Sequence, residues 1–283
     1  LASSVLENLT ISSQSVANTL DLLATTAVNV PKLTVIGDKK LTITAALDAG
    51  IATIDSSGST GGLTLTNAPG YGGVTVTGGS GAETITVGTG NVNVSGGAGN
   101  DTLTAAATWN GLDVYDGGDG HDTLAISSAF EPLNTGPTSA NTIVAGLSNV
   151  EELLVSGATT VSFDKNMGSL TTIDIKDTGS QVVNLNDGYT GKTTIQVGST
   201  TASNGQAVDR IVNTAGVELD IYARISDIDG DTASKTTITG GAGTDTLYLY
   251  SIPQDHDGNG NTADSNTLLL GDANNNNITG VDK

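Results

Sequence analysis

From Lys32 onward the chain alternates apolar and hydroxyl side chains in short bursts. Leu33-Thr34-Val35-Ile36, Leu41-Thr42-Ile43-Thr44, Ile51-Ala52-Thr53-Ile54, Leu63-Thr64-Leu65-Thr66 and Val74-Thr75-Val76-Thr77 are separated by Gly, Asp and Ser. A period of two predicts strands with one buried face. Thr beside Val, Ile and Leu is what a thin two-sided sheet needs. The strand starts fall roughly 8–12 residues apart, a spacing that a β-sandwich would also show. Residues 1–30 alternate weakly: Leu6–Ile11 reads as a strand, and Ala17–Ala24 as a strand or a short helix. Further strands are expected at Thr160–Phe163, Thr171–Ile175, Val182–Leu185, Thr193–Val197, Val217–Ile221 and Thr236–Thr239. The stretch 126–141, with Phe130-Glu131-Pro132 and Gly136-Pro137-Thr138, reads as an inserted surface loop, and Gly198–Gln206 as a flexible loop.

A nine-residue repeat interrupts this rhythm and organises it. Gly78-Gly79-Ser80-Gly81-Ala82-Glu83-Thr84-Ile85-Thr86, Gly96-Gly97-Ala98-Gly99-Asn100-Asp101-Thr102-Leu103-Thr104 and Gly117-Gly118-Asp119-Gly120-His121-Asp122-Thr123-Leu124-Ala125 stand close together. A fourth copy, Gly240-Gly241-Ala242-Gly243-Thr244-Asp245-Thr246-Leu247-Tyr248, lies downstream. All fit G-G-x-G-x-D-x-U-x with U apolar, except that Glu83 fills the Asp slot of the first. Glycines let the first six positions turn tightly, aiming carbonyls inward, and a short carboxylate closes the ring of oxygens. Ca²⁺ takes about 6–8 oxygen ligands, more than one turn supplies, so two turns must share an ion. The last three residues form a short strand with its apolar side chain inward.

Two nonapeptides make one coil, so turns on one side recur every 18 residues, as Gly78 and Gly96 do. Between them Val87–Ser95 is a further unit without an acid. The next gap, to Gly117, is 21 residues, which implies a three-residue insertion around Ala105–Trp109. One ion is expected between the Gly78 and Gly96 turns and a second between Gly96 and Gly117. The candidate ligand positions are Gly78, Ser80, Ala82 and Glu83; Gly96, Ala98, Gly99, Asn100 and Asp101; Gly117, Asp119, Gly120 and Asp122; and Gly240, Ala242 and Asp245. Asp227, Asp229 and Asp231 flank Gly230 as either ligands or an acidic solvated turn. Asp255, Asp257 and Asn259 sit at EF-hand-like spacing, but Asn266 stands where the bidentate Glu belongs, so a true EF-hand is rejected. Gly271–Gly280 reads as a degenerate copy of the repeat or as an asparagine-rich tail.

The motif resembles the RTX repeat of secreted bacterial proteins, which folds as a parallel β-roll around Ca²⁺. Ile143–Val155, with its apolar-Ser-Asn-Val-Glu-Glu-Leu core, resembles the connecting rungs beside RTX blocks in large secreted and S-layer proteins. The expected fold is all-β: an elongated parallel β-solenoid or β-helix with calcium-binding RTX β-roll segments. Residues 1–68 would lead into the roll, 69–126 form it, 127–238 continue the solenoid with surface loops, and 239–283 carry a second, truncated RTX-like segment. The chain as a whole resembles RTX-containing surface-layer proteins of Gram-negative bacteria. That resemblance implies type I secretion, folding when calcium rises outside the cell, and self-assembly through calcium-bridged contacts into a lattice or homo-oligomer at the cell surface. Cell-surface polysaccharide is a further expected partner, through another part of the parent chain. The alternative is a calcium-binding RTX module of a large secreted adhesin or of a secreted enzyme.

Composition agrees. Ten Lys and Arg against 30 Asp and Glu leave a net charge of −20, which excludes the clustered cations that nucleic acid requires. Of the acids 24 are Asp and 6 Glu, a bias toward turns rather than helical surfaces. Crowded carboxylates destabilise a compact metal-free state, so cation binding should couple to folding. Cysteine is absent, which excludes disulfides and thiol chemistry, and no apolar run approaches membrane-spanning length. The start at Leu1, without a signal-peptide pattern, and the lack of a recognisable secretion signal at Gly280–Lys283 read as a piece of a longer chain. The expectation is no enzyme. Only His121 and His256 occur, neither in H-E-x-x-H, and no G-x-S-x-G elbow or phosphate loop is present. Glycoside chemistry by paired carboxylates stays open, since acidic β-helices bring many Asp together.

Overall fold

The computed structural model describes residues 6–21, 30–44, 47, 50–66, 73–88, 90–105, 112–126, 146–156, 159–163, 169–176, 181–185, 193–197, 210–213, 219–225, 237–239, 246–251 and 277–279. They form strands in parallel sheets, with no α-helix among them. The chain falls into two units, one of Leu1–Ile126 with Thr138–Glu151 and one of Ser127–Pro137 with Glu152–Lys283.

In the first unit, one sheet stacks β1 (Asn8–Ser12), β3 (Lys32–Gly37), β5 (Thr53–Ser59), β7 (Val74–Thr77), β9 (Val92–Ala98), β11 (Val114–Asp119) and β13 (Leu147–Ser148). The other stacks β2 (Asn18–Leu20), β4 (Leu41–Ile43), β6 (Leu63–Leu65), β8 (Thr84–Thr86), β10 (Thr102–Thr104) and β12 (Thr123–Ile126). Odd and even strands alternate between the sheets, so each coil contributes one strand to each: a parallel β-solenoid. Parallel pairing throughout rules out the antiparallel sandwich that strand spacing alone allowed. The undecided segment 17–24 supplies a strand, β2.

The coil length shortens as the repeat begins. Leu33 pairs with Ile54 and Ile54 with Val76, but Val76 pairs with Val94, 18 residues on. Thr84 likewise pairs with Thr102, whereas Thr102 pairs with Thr123. The two-nonapeptide coil and the longer one after it are both present.

A strand of three residues cannot bury its apolar side chain alone; stacking on its neighbours does so. Ile43, Leu65, Ile85, Leu103 and Leu124 are successive partners, each at most 1% exposed. Leu33, Ile54, Val76, Val94 and Tyr115 form the facing column. Leu103→Ala should therefore cost about 2–5 kcal/mol, read as a lower urea midpoint in calcium. Thr102→Ala, on the exposed face of the same strand, should shift that midpoint by about 0.5 kcal/mol or less.

In the second unit, one sheet stacks β14 (Glu152–Ser156), β16 (Thr172–Lys176), β18 (Thr193–Val197), β20 (Leu219–Ile225) and β22 (Thr246–Ser251). The other stacks β15 (Thr159–Phe163), β17 (Gln181–Leu185), β19 (Arg210–Asn213), β21 (Thr237–Thr239) and β23 (Asn277–Thr279). All the strands expected here are found, and β19 is one that periodicity missed. The loops expected at 126–141 and 198–206 lie almost wholly outside the described residues.

Candidate metal centre

The nonapeptide turns stack in register because β7, β9 and β11 do. Thr77 pairs with Ser95 and Ser95 with Asp116, which places Gly78, Gly96 and Gly117 in one column. All three glycines are buried. A Cβ on Gly78 would run into the Gly96 carbonyl oxygen, and one on Gly96 would meet the Gly117 carbonyl oxygen at 2.5 Å and collide with Asp101 Oδ2. Each column glycine is thus packed closely against the carbonyl of the next coil. At Gly96 a carboxylate, that of Asp101, packs there as well.

The acids form a second column. Glu83, Asp101 and Asp122 are 1%, 1% and 0% exposed. Asp101 Oδ1 accepts the Glu83 N–H at 2.7 Å, 18 residues back along the chain, and Asp122 Oδ1 accepts the Asp101 N–H at 2.7 Å, 21 residues back. One oxygen of each Asp therefore clips its coil to the preceding one. The other oxygens, Asp101 Oδ2 and Asp122 Oδ2, are buried without a hydrogen-bond partner, as are both oxygens of Glu83. Burying a carboxylate with an unmatched oxygen is costly unless a cation sits there. Orphaned carboxylate oxygens close to main-chain carbonyls are the hard oxygen donors that Ca²⁺ takes.

In the same column of turns upstream the buried polar side chains are serines, not carboxylates. Ser56, buried, donates its hydroxyl to the Thr77 carbonyl at 2.8 Å, and buried Ser59 donates to that of Gly37 at 3.4 Å. The carboxylates near those turns, Asp38 and Asp55, are paired with Lys39 and Lys32. In the register of the acid column the residue upstream of Glu83 is Leu63, so the buried carboxylates begin at Glu83.

Other expected positions fall around these columns. Ser80, Ala82, Asn100, Asp119 and Gly120 are exposed on the turns, and Ala98 and Gly99 half-buried. Asn100 Oδ1 accepts the His121 N–H at 3.2 Å, and Gly99 donates its N–H to the Asp119 carbonyl at 2.8 Å. Among the described residues no three acidic or histidine side chains converge on one point. With one carboxylate per coil, main-chain carbonyls must complete any ligand shell. Gly240, Ala242, Asp245, Asp227, Asp229, Asp231, Asp255, Asp257 and Asn259 lie outside the described residues. Sequence reasoning missed Asp113, 2% exposed, which accepts the Val92 N–H at 2.9 Å at the opposite corner of the coil. Its signal was slight: one Asp before an alternating strand, outside any repeat.

Positive φ is concentrated in the second and third copies, at Gly97 (104°), Gly99 (121°), Gly118 (106°) and Gly120 (149°). In the first copy the need for glycine is one of space: a Cβ on Gly79 would collide with the Ser59 carbonyl oxygen.

The electrostatics carry a pH dependence. Burial, and secondarily the Asp101 charge, pushes the Glu83 carboxyl up to about 8. Burial also raises Asp101 and Asp122. The metal-free folded chain therefore holds protons that the unfolded chain releases near pH 4. Folding stability without metal should fall as pH rises from about 4 through about 8. Calcium competes with those protons, so its affinity should rise over the same window and binding should release protons. Thermal unfolding of the metal-free protein at pH 5, 6.5 and 8 checks this, and Glu83→Gln should flatten the slope. A flat wild-type profile would contradict the burial of these groups.

Residues 77–107 and 237–250 match the family profile of the RTX calcium-binding nonapeptide repeat, in 4 copies. The match stops short of the 117–125 turn, which the structure stacks in the same register. No curated protein and no solved structure gives a significant match. Motif, fold and orphaned carboxylates agree: the chain carries nonapeptides of the RTX calcium-binding type, and those among the described residues lie on a parallel β-solenoid.

Proposed function

We propose that this is a non-enzymatic, calcium-dependent extracellular structural protein that self-assembles into a bacterial surface (S-) layer. The observation that carries the calcium half is the column of Glu83, Asp101 and Asp122, buried one per coil with oxygens left over. Without metal these coils hold uncompensated acids; with metal each ion joins two coils, and binding free energy becomes folding free energy. Low calcium keeps such a chain loose for export, and external calcium closes it. The assembly half is supported by the extent of the scaffold. Parallel rungs occupy residues on both sides of the calcium turns, and the sequence has no hydrolytic motif. The resemblance of the chain to S-layer proteins points the same way, with calcium-bridged copies of itself as the partner.

Electron microscopy of the purified protein, in chelator and then in millimolar calcium, tests the proposal. Ordered sheets or tubes that form only with calcium are the expected result. Compact particles that need calcium yet never associate would replace it with a module of an adhesin or enzyme. Identical particles in both conditions would overturn the calcium reading itself.

A further inference from the structure

The glycine column does not end with the repeat. Asp116 pairs with Ser148, so the residue in register with Gly117 is Asn149. Its carbonyl oxygen stands where those of Gly96 and Gly117 stand one and two coils earlier: a Cβ on Gly117 would collide with it. The same Cβ would lie 2.6 Å from Asp122 Oδ2. That oxygen is buried without a partner, on a side chain 0% exposed. Asn149 reaches this position with φ of 50°, and its side-chain amide donates to Asp116 Oδ1 at 2.7 Å, fixing the turn. The acid column also continues. Glu151 Oε2 accepts the Asp122 N–H at 2.8 Å, as Asp122 accepts that of Asp101. In the repeat the acid follows the column glycine by five residues, as Asp122 follows Gly117; here Glu151 follows Asn149 by two.

We infer that a further calcium site lies between the Gly117 turn and the Ser148–Glu151 turn, with Asp122 Oδ2 and the Asn149 carbonyl as ligands. One wall of this site is not a nonapeptide, so the motif pattern would not count it. Glu151 is a positioning residue, clipping the last turn so that the Asn149 carbonyl faces Gly117. The inference rests on the calcium reading of the repeat turns, and its failure can be told apart from the failure of that reading.

The test is ⁴⁵Ca equilibrium dialysis on the full chain at saturating calcium. Asp→Asn keeps Oδ1 as acceptor for the neighbouring N–H and removes only the charge, so these variants retain the coil-to-coil clip. Asp122→Asn should bind one ion fewer than wild type. Glu83→Gln/Asp101→Asn should bind one ion more than the triple variant that adds Asp122→Asn; this comparison cancels ions held elsewhere. An unchanged count on adding Asp122→Asn, with a lower count on Asp101→Asn, would sink this site and leave the repeat turns as calcium sites. No change in either would sink both. Hydrogen exchange on wild type gives a readout independent of any variant. Calcium should slow exchange at the Glu151 amide, and protection that stops at the Gly117–Asp122 turn would overturn this site while leaving the repeat turns as calcium sites.

Discussion

Asp101→Asn is expected to make the metal-free protein more stable and to weaken its response to calcium by one site's increment. The side chain has two separable jobs. Oδ1 accepts the Glu83 N–H at 2.7 Å, and the amide oxygen of Asn can take over that bond. Oδ2 is buried without a partner beside the Gly117 carbonyl, and an amide nitrogen there removes a buried charge while offering a calcium ion nothing. Deleting an uncompensated buried charge should raise metal-free stability by about 1–3 kcal/mol. A site filled at a hundredfold excess over its Kd adds about 2.7 kcal/mol to the folded state, and the variant should lose that increment. Asp101→Ala differs in kind. It also orphans the Glu83 N–H, so it should destabilise the protein with or without metal. Asp282→Ala, outside every strong motif, should do neither. Thermal unfolding of all three in chelator and in calcium separates the cases, and equal effects of Asp101→Ala and Asp282→Ala would undo the ligand assignment.

Gly97→Val is expected to be among the most damaging single changes in the repeat block. Gly97 has φ of 104°, a region that a β-branched residue adopts only under strain. Its Cβ would also collide with the Gly79 carbonyl of the preceding coil and lie 3.0 Å from the Gly78 carbonyl carbon. Backbone cannot move aside as a side chain can, so the coils must separate and the cradle between Gly78 and Gly96 opens. A loss of more than about 3 kcal/mol follows from strain and overpacking together, with a rise in the calcium needed for folding. Gly58→Ala is the control. Its Cβ would meet only the Ile36 side chain, at 3.0 Å, which can rotate, and the expected loss is about 1 kcal/mol or less. A Gly97→Val protein with a normal calcium titration would mean that the turns do not stack as described.

The local parts of this molecule were legible in the chain. Alternation marks nearly every strand, because a side chain on a rung must point either in or out. The nonapeptide encodes its own turn, strand and acid within nine residues, and its spacing in the chain already implied the 18-residue coil linking Glu83 to Asp101. What sequence could not rank was the ligands. Ser80, Asn100 and Asp119 carry oxygens at repeat positions, yet stand exposed on the turns, whereas Glu83, in a slot where the motif asks for Asp, is fully enclosed.

The choice between these belongs to the tertiary structure, because burial and register depend on residues a whole coil away. The register sets Ser56 opposite Gly78 and Leu63 opposite Glu83, so the buried acids begin only at the first repeat. It also brings Asn149 and Glu151 under Gly117 and Asp122 from beyond a long insertion, 29 residues separating the Asp122 amide from the carboxylate that accepts it. Local periodicity determined that this chain would wind into short parallel coils. Stacking alone decided which oxygens are left without a partner, because an oxygen is orphaned or satisfied by the coil above it, not by its own neighbours in the chain.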